Sequence, residues 1–271
     1  DNYGVSGSAT IAVQVAGTAC GVTHHVSHSK VVCSSPAGAG AAREVAVTVD
    51  AQASSGVALW TYAIPTLSHV IPTAPGGSDG GTVTIAGANF GVSGEAVATV
   101  TIGGTACTSA SVLTDTHMSC SAPLGAGVGL EVLVTVDNQI SASGSAIYSY
   151  AAPSVTSLVA HAALTTGGTA TIHGTNFGIS DAELAVFIAG SAAADEVVVS
   201  TTRATFTVPA GSGASRSIVA SVDGQGSDAV SLYTYATPSV TSMTPASGVG
   251  AGATSVTVYG DNYGVSGSAT I

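Results

Sequence analysis

The first eleven residues of the sequence return, letter for letter, at positions 261–271. The offset is 261 − 1 = 260 residues, and identity over eleven positions is not a chance event. A fixed period of this kind indicates a repeat architecture, in which the repeating unit is what folds. We therefore expect the sequence to be one period of a longer array, with overlapping ends.

Shorter repeats lie inside this period. The tripeptide Asn-aromatic-Gly begins at positions 2, 89, 176 and 262, with spacings of 89 − 2 = 87, 176 − 89 = 87 and 262 − 176 = 86 residues. Tyr-x-x-Pro begins at 62, 150 and 235, and Val-Asp-x-Gln begins at 49, 136 and 222. The period therefore holds three related units, each within the usual size range of a domain.

The second unit has the pattern of short strands separated by turns. Residues 82–85 and 130–137 alternate in polarity, so Val132, Val134 and Val136 should face one way. Glycine, asparagine and proline punctuate the sequence between such segments, and no helical period of useful length occurs. About seven short strands in fewer than about 90 residues predict an all-β chain of antiparallel sandwiches of immunoglobulin type.

The motifs of this unit also resemble those of a known family. They are Gly80-Gly81-Thr82, Gly87-Ala88-Asn89-Phe90-Gly91, Gly103-Gly104-Thr105-Ala106-Cys107 and Cys120-Ser121-Ala122-Pro123. This pattern is similar to the IPT/TIG domain, the immunoglobulin-like module shared by plexins and some transcription factors. The resemblance implies tandem IPT/TIG β-sandwiches joined end to end, a non-catalytic role, and membership of a large extracellular protein.

The repeats predict four segments. Residues 1–64 form an IPT-like unit without its first strands, and residues 65–152 form a complete unit. Residues 153–237 form a complete unit without the cysteine pair, and residues 238–271 supply the first strands of a further unit.

The four cysteines form two pairs with equal spacing. Cys20 and Cys33 are 33 − 20 = 13 residues apart, and Cys107 and Cys120 are 120 − 107 = 13 residues apart. The third unit has Ala193 and Phe206 at the matching positions, so both cysteines are replaced together. Joint loss predicts two disulfides, Cys20–Cys33 and Cys107–Cys120, and an oxidising, extracellular setting. Buried free thiols are the alternative.

Composition argues against several partners. Lys and Arg total 4 against 15 Asp and Glu, a net charge of −11, so nucleic acid and anionic membranes are poor partners. The basic loops of the family's DNA-binding members are therefore not available here. No apolar run approaches the roughly 20 residues of a membrane-spanning helix, so we expect no membrane insertion in this segment.

The sequence gives no sign of a catalytic site, metal site or cofactor. His24, His25 and His28 could hold zinc, but no carboxylate is near, and a solvated loop is the preferred interpretation. Asp50, Asp137 and Asp223 recur at one position, where a turn is favoured over calcium binding. We therefore predict no enzyme, no metal and no cofactor.

Hydroxyl side chains must form much of the polar surface, because charged residues are only 7% of the chain. No Asn begins an Asn-x-Ser/Thr sequon, so N-glycosylation is excluded. O-linked glycan on outward Ser and Thr is one hypothesis, and plain polar β-formers are the other. The candidate acceptors are Thr48, Thr135, Ser221, Ser141, Ser143 and Ser145.

The junctions indicate a function. Tyr-x-x-Pro leaves almost no linker between units, and proline restricts the hinge, so the units should stack as a semi-rigid rod. With strands of about ten residues, one period would extend on the order of 100 Å. We expect a structural extracellular fibre or stalk whose partner is itself, as a continuous or head-to-tail array. The alternatives are a spacer in a cell-surface adhesin or receptor ectodomain, or accessory modules of a carbohydrate-active enzyme. Strand exchange between chains stays open, although a continuous covalent chain explains the overlap more simply.

Overall fold

The computed structural model describes residues 10–71, 77–94, 96–144, 147–160, 164–180 and 183–264. Within these ranges the chain forms 27 β-strands, and the predicted all-β class is confirmed. In the same ranges, no helix combines the length and the apolar character that a membrane crossing needs.

The chain divides into two compact units. The first unit is Asp1–Ala74, Gly81–Pro123 and Gly129–Tyr148, and the second is Pro75–Gly80, Leu124–Val128 and Ser149–Ile271.

The first unit contains strands β1 to β16. Their bounds are β1 Ile11–Val15, β2 Thr18–Ala19, β3 Thr23–Ser27, β4 Lys30–Cys33, β5 Arg43–Val49, β6 Gln52–Ala53, β7 Val57–Trp60, β8 Thr66–Ile71, β9 Gly81–Ala88, β10 Ala98–Ile102, β11 Thr105–Ala106, β12 Thr108–Thr114, β13 His117–Ala122, β14 Leu130–Val136, β15 Gln139–Ile140 and β16 Ile147–Tyr148.

Strands β8 to β16 form two antiparallel sheets. One sheet has the order β12-β13-β9-β8, and the other has the order β11-β10-β14-β15 with β16 also paired to β14. This is the strand arrangement of an immunoglobulin-type sandwich, as predicted. Val132, Val134 and Val136 on β14 are fully buried, so the predicted alternation is confirmed. The first strand of the second repeat is β8, which begins one residue after Pro65.

Strands β1 to β7 repeat only part of this plan. A five-stranded sheet has the order β2-β1-β5-β6, with β7 also on β5. The other sheet of the first repeat is a single hairpin of β3 and β4. Among the described residues, these two strands pair only with each other. That the first repeat lacks its opening strands stays a prediction. Val45 and Val47 on β5 are only half-buried.

The second unit contains strands β17 to β27. Their bounds are β17 Ser154–Ala160, β18 Gly168–Thr175, β19 Leu184–Ile188, β20 Ser191–Ala192, β21 Ala194–Ser200, β22 Arg203–Val208, β23 Arg216–Val222, β24 Gln225–Gly226, β25 Val230–Tyr233, β26 Ser239–Thr244 and β27 Thr257–Asp261.

The third repeat is a complete sandwich inside this second unit. Its sheets have the orders β17-β18-β22-β21 and β20-β19-β23-β24, with β25 on β23, which matches the second repeat strand for strand. Ile172, Phe177, Val186 and Ile218 are fully buried between the sheets. Strands β26 and β27 follow as a hairpin whose members pair only with each other in the described part of the chain.

Candidate functional site

An ion pair lies where the first and second repeats meet inside the first unit. The β14–β15 turn carries Asp137 and Asn138, both with positive φ (45° and 67°), as the predicted tight turn requires. Asp137 Oδ1 accepts a hydrogen bond from Val97 N at 3.0 Å, and Oδ2 pairs with Arg43 Nη2. Arg43 Nε donates to Ala39 O at 2.6 Å, so the guanidinium is held on both sides.

The glutamine of Val-Asp-x-Gln makes another contact at the junction, a hydrogen bond to main chain that occurs in both units. In the first unit, Gln139 Nε2 donates to Tyr62 O at 3.1 Å. In the second unit, Gln225 Nε2 donates to Tyr150 O, also at 3.1 Å. Each glutamine thus binds the main chain of the Tyr-x-x-Pro segment that precedes its own repeat. The sequence identified these glutamines only as part of a repeated motif. Their recurrence at one position was the signal that they bind the junction.

The Asn-aromatic-Gly motif fixes the start of each repeat. Asn89 Nδ2 donates to Ile64 O at 3.0 Å, and Asn176 Nδ2 donates to Ala152 O at 3.0 Å. The asparagines have positive φ (65° and 60°), which Asn tolerates better than most residues. The following aromatic, Phe90 or Phe177, is completely buried, so the bend pins the junction to the core.

One glycine in this motif is required by a close approach of main chain. A Cβ on Gly87 would lie 2.0 Å from Thr66 O and 2.6 Å from Phe90 Cζ. The same position in the third repeat, Gly174, would place a Cβ 1.8 Å from Ser154 O. Strand β8 or β17 therefore crosses too near for any side chain at this position.

The Tyr-x-x-Pro tyrosines are packing residues. Tyr62 Oη donates to Pro36 O at 3.0 Å, and Tyr235 Oη donates to Pro209 O at 2.8 Å. Tyr235 meets Tyr233 edge-on, with ring centroids 4.8 Å apart. Burial raises the pKa of both Tyr62 and Tyr235 above the usual value. The rings face the protein interior, which is a poor arrangement for stacking on a sugar.

The structure brings the cysteines together in the predicted pairs, as free thiols. Burial and the hydrogen bond with Cys33 raise the pKa of Cys20 to about 11. The hydrogen bond with Cys120 lowers the pKa of Cys107, while the same bond and burial raise the pKa of Cys120. The partners are therefore in contact, and the disulfides themselves stay a prediction.

The third repeat fills the same place with apolar side chains. Phe206 is buried, and Ala193 packs against the core that contains it. This agrees with the joint replacement seen in the sequence.

The three histidines do not converge. On β3, His24 is exposed and His25 is half-buried, because neighbouring strand residues point to opposite faces. His28 is exposed beyond the strand. His25 pairs with Val31 as Val112 pairs with Met118, so His25 occupies a core position that sequence reasoning missed. In the described ranges, no group of three His, Cys, Asp or Glu side chains could hold a metal ion.

The recurring aspartates are turn residues, and the carboxylates of Asp50 and Asp137 each accept a hydrogen bond from the residue that precedes a neighbouring strand. Asp50 has positive φ (44°), and its Oδ1 accepts from Thr10 N at 2.8 Å. Asp223 occupies the matching turn, with φ 47°, and its N donates to Glu183 O at 2.9 Å. The side chains of Asp50 and Asp137 thus bond the start of the strand that is paired with their own, β1 or β10.

The candidate glycan acceptors differ in accessibility. Thr48, Thr135 and Ser221 are half-buried at matching positions on β5, β14 and β23, and Ser143 is exposed. Ser141 is only 4% exposed, and its hydroxyl accepts a hydrogen bond from Val134 N at 3.1 Å. A buried, hydrogen-bonded hydroxyl is a poor site for glycan attachment, so the prediction for Ser141 is not supported. Ser145 lies outside the described residues.

A cavity lies beside the ion pair in the first unit. Its volume is about 160 Å³, and Arg43, Tyr62 and Asp137 contribute to its walls. Pockets for small molecules and cofactors usually have volumes of about 300–1,000 Å³. The cavity is therefore smaller than a usual ligand pocket, and we interpret this region as a packed junction between repeats.

The family model of the IPT/TIG domain matches residues 5–62, 65–150 and 153–235. The chain belongs to the IPT/TIG domain family. The resemblance drawn from the sequence is thereby confirmed, and these three copies are the three repeats described above. A search of curated protein sequences found no match.

Among solved structures, the chain is similar to a surface glycan-binding protein from Prevotella bryantii, with 19% identity and a TM-score of 0.39 over 61% of this chain and 41% of that one. It is also similar to the plexin A4 extracellular region, with 14% identity and a TM-score of 0.29 over 84% and 30% of the two chains. For the bacterial integrin-binding protein invasin, identity is 16% and the TM-score 0.26 over 86% and 54%. The chain thus spans from under a third to about half of these structures.

Proposed function

We propose that this chain is a non-catalytic, structural segment of an extracellular or cell-surface protein, in which tandem IPT/TIG domains build a long fibre or stalk. Its domains are residues 1–64, 65–152 and 153–237, and residues 238–271 open a further copy. Membership of the IPT/TIG family over nearly the whole chain supports the non-catalytic role.

The observation that carries the proposal is the repeated junction. Gln139 in one unit and Gln225 in the other each bind the main chain of the preceding Tyr-x-x-Pro segment at 3.1 Å. Short linkers bridged by hydrogen bonds restrict the motion of one domain relative to the next. A stiff fibre needs this restriction, whereas a flexible tether does not.

Electron microscopy of native material tests this function. We expect a long thin filament with an axial repeat near the length of three domains. Short rods that end in a distinct globular head would show instead a spacer in an adhesin or receptor, and would contradict the fibre.

We propose further that O-linked glycan covers part of the surface. Charged residues are only 7% of the chain, so hydroxyl groups must supply most of its polar surface. The acceptors are Thr48, Thr135, Ser221, Ser143 and Ser145. Intact-mass spectra of native material should exceed the polypeptide mass by hexose-sized steps, and the unmodified mass would end this hypothesis.

A further inference from the structure

Two histidines of the second repeat lie on strands that flank the same central strand. His69 on β8 pairs with Ala86 on β9, and His117 on β13 pairs with Ala86 from the other side. Both histidines are exposed, whereas their strand neighbours Val70 and Met118 are buried in the core. Side chains alternate along a strand, so both imidazoles belong to the outer face of this sheet.

The burial of Ala86 indicates where the two imidazoles lie. Its methyl group belongs to the same outer face, because the neighbouring Ile85 points into the core and is completely buried. Ala86 is nevertheless only 5% exposed, so side chains of the adjacent strands cover it. His69 and His117 are the residues paired with it, and two strand spacings separate their Cα atoms by about 10 Å. A side chain as small as that of alanine leaves room for both rings above it.

Hydrogen bonds determine which nitrogen of His69 is available to a ligand. Ser68 Oγ donates its one proton to Ala86 O at 3.0 Å, and the same oxygen lies 3.1 Å from His69 Nδ1. The hydroxyl must therefore accept a hydrogen bond from Nδ1. In the neutral ring this places the proton on Nδ1 and the lone pair on Nε2.

His117 has the same kind of partner. Thr116 Oγ1 lies 2.9 Å from His117 Nδ1 and 3.2 Å from Thr114 Oγ1, which can accept the hydroxyl proton. With its proton directed to Thr114, Thr116 accepts from Nδ1, and the lone pair of His117 is on Nε2 as well. A histidine that binds a metal usually donates its other ring N–H to an oxygen in this way.

We propose that His69 and His117 together bind a divalent transition metal ion, of which Zn²⁺ is the probe used below, through their Nε2 atoms above Ala86. Zinc–nitrogen bonds of about 2.0–2.1 Å draw the two nitrogens together from opposite sides, and water completes the coordination. In the part of the chain that the structure describes, no third His, Cys, Asp or Glu side chain joins them. The ion therefore links β8 to β13 across β9. The two residues are 117 − 69 = 48 positions apart, so the sequence gave no sign of this pair.

The third repeat provides a comparison within the same chain. His173 on β18 occupies the position of Ala86, between Ser157 on β17 and Arg203 on β22. One imidazole beside a guanidinium offers a single ligand together with a charge that repels a cation. This face of the third repeat should therefore not retain the metal.

Zinc titrations of the full chain test the site. Isothermal calorimetry with Zn²⁺ alone, in a buffer that does not bind zinc, measures the affinity. His69→Gln and His117→Gln should each weaken binding at least about tenfold, because one imidazole cannot chelate the ion. His173→Gln is the matched control and should bind zinc as the wild type does. The four cysteines are common to every variant, so zinc bound by sulfur does not alter the comparison.

Chemical modification locates the ion independently. Diethyl pyrocarbonate acylates accessible imidazole nitrogens, and peptide mass spectrometry identifies the modified residues. Zinc should protect His69 and His117 and leave the exposed His24 reactive. Hydrogen exchange in β8 and β13 should also slow with zinc, because the ion ties these strands together. Circular dichroism checks that each variant folds.

A chain that does not bind zinc would overturn the proposal. So would binding that survives both His69→Gln and His117→Gln, or that is lost in only one of them, since the two imidazoles act together. Loss of binding in His24→Gln instead would assign the ion to β3 and contradict the site. None of these results bears on the proposed fibre, which electron microscopy tests separately.

Discussion

Reduction of the predicted Cys20–Cys33 disulfide should destabilise the first domain strongly. The two cysteines are 33 − 20 = 13 residues apart, and closing a loop of this size contributes about 3 kcal/mol in the chain-entropy model. The first domain has little stability in reserve, because Val45 and Val47 are half-buried where Val132 and Val134 are fully buried. For a small domain with a urea dependence of about 1.5 kcal/mol per molar, the unfolding midpoint should fall by about 2 M.

Trp60 provides the assay, because it is the only tryptophan in the chain and belongs to this domain. Its ring lies edge-on to that of Tyr62, with centroids 5.8 Å apart, so unfolding should change its fluorescence. Urea titrations are compared with and without reductant at one fixed protein concentration. The double substitution Cys20→Ala with Cys33→Ala is the control, and its midpoint should be low and insensitive to reductant.

Two results would refute the reasoning. One is a wild-type midpoint that does not respond to reductant. The other is alkylation of all four cysteines in unreduced native material, which would show that the paired sulfurs are thiols. The third domain has Ala193 and Phe206 in place of a cysteine pair, so its own stability should not depend on reductant.

Three further outcomes are expected. Gly87→Ala should lower the free energy of unfolding by at least about 2 kcal/mol, because its Cβ would lie 2.0 Å from a main-chain oxygen; Gly250→Ala, with open space around it, should be neutral in the same urea titration. Arg43→Met should cost about 1 kcal/mol, a loss that shrinks in high salt because the ion pair is partly exposed to solvent; stability measured at two ionic strengths checks this. In the reduced chain, iodoacetamide should label Cys107 at lower pH than Cys20, because the Cys107 pKa is lowered and that of Cys20 is raised to about 11. The rate of Cys20 labelling should therefore rise about tenfold per pH unit up to that value. Peptide mass spectrometry measures both rates, and equal pH profiles would contradict this prediction.

The sequence by itself determined the domain type, the repeat and the strand faces. Alternation along β14 predicts which valines are buried, because side chains of a strand point to alternate sides whatever the strand later meets. Positive φ at Asp137 and Asn89 is equally local, since few residues adopt it readily. The cysteine pairs could also be foreseen, because their joint replacement in the third repeat reflects a contact.

Only the tertiary structure decided what these elements touch. Nothing local distinguishes Ser141, which is buried against the main chain of β14, from the exposed Ser143 two residues later. The junction roles of Arg43 and Gln139 likewise depend on partners 94 and 77 residues away in sequence. Such contacts are set by which sheets and turns meet in space, and a period read along the chain carries no information about that meeting.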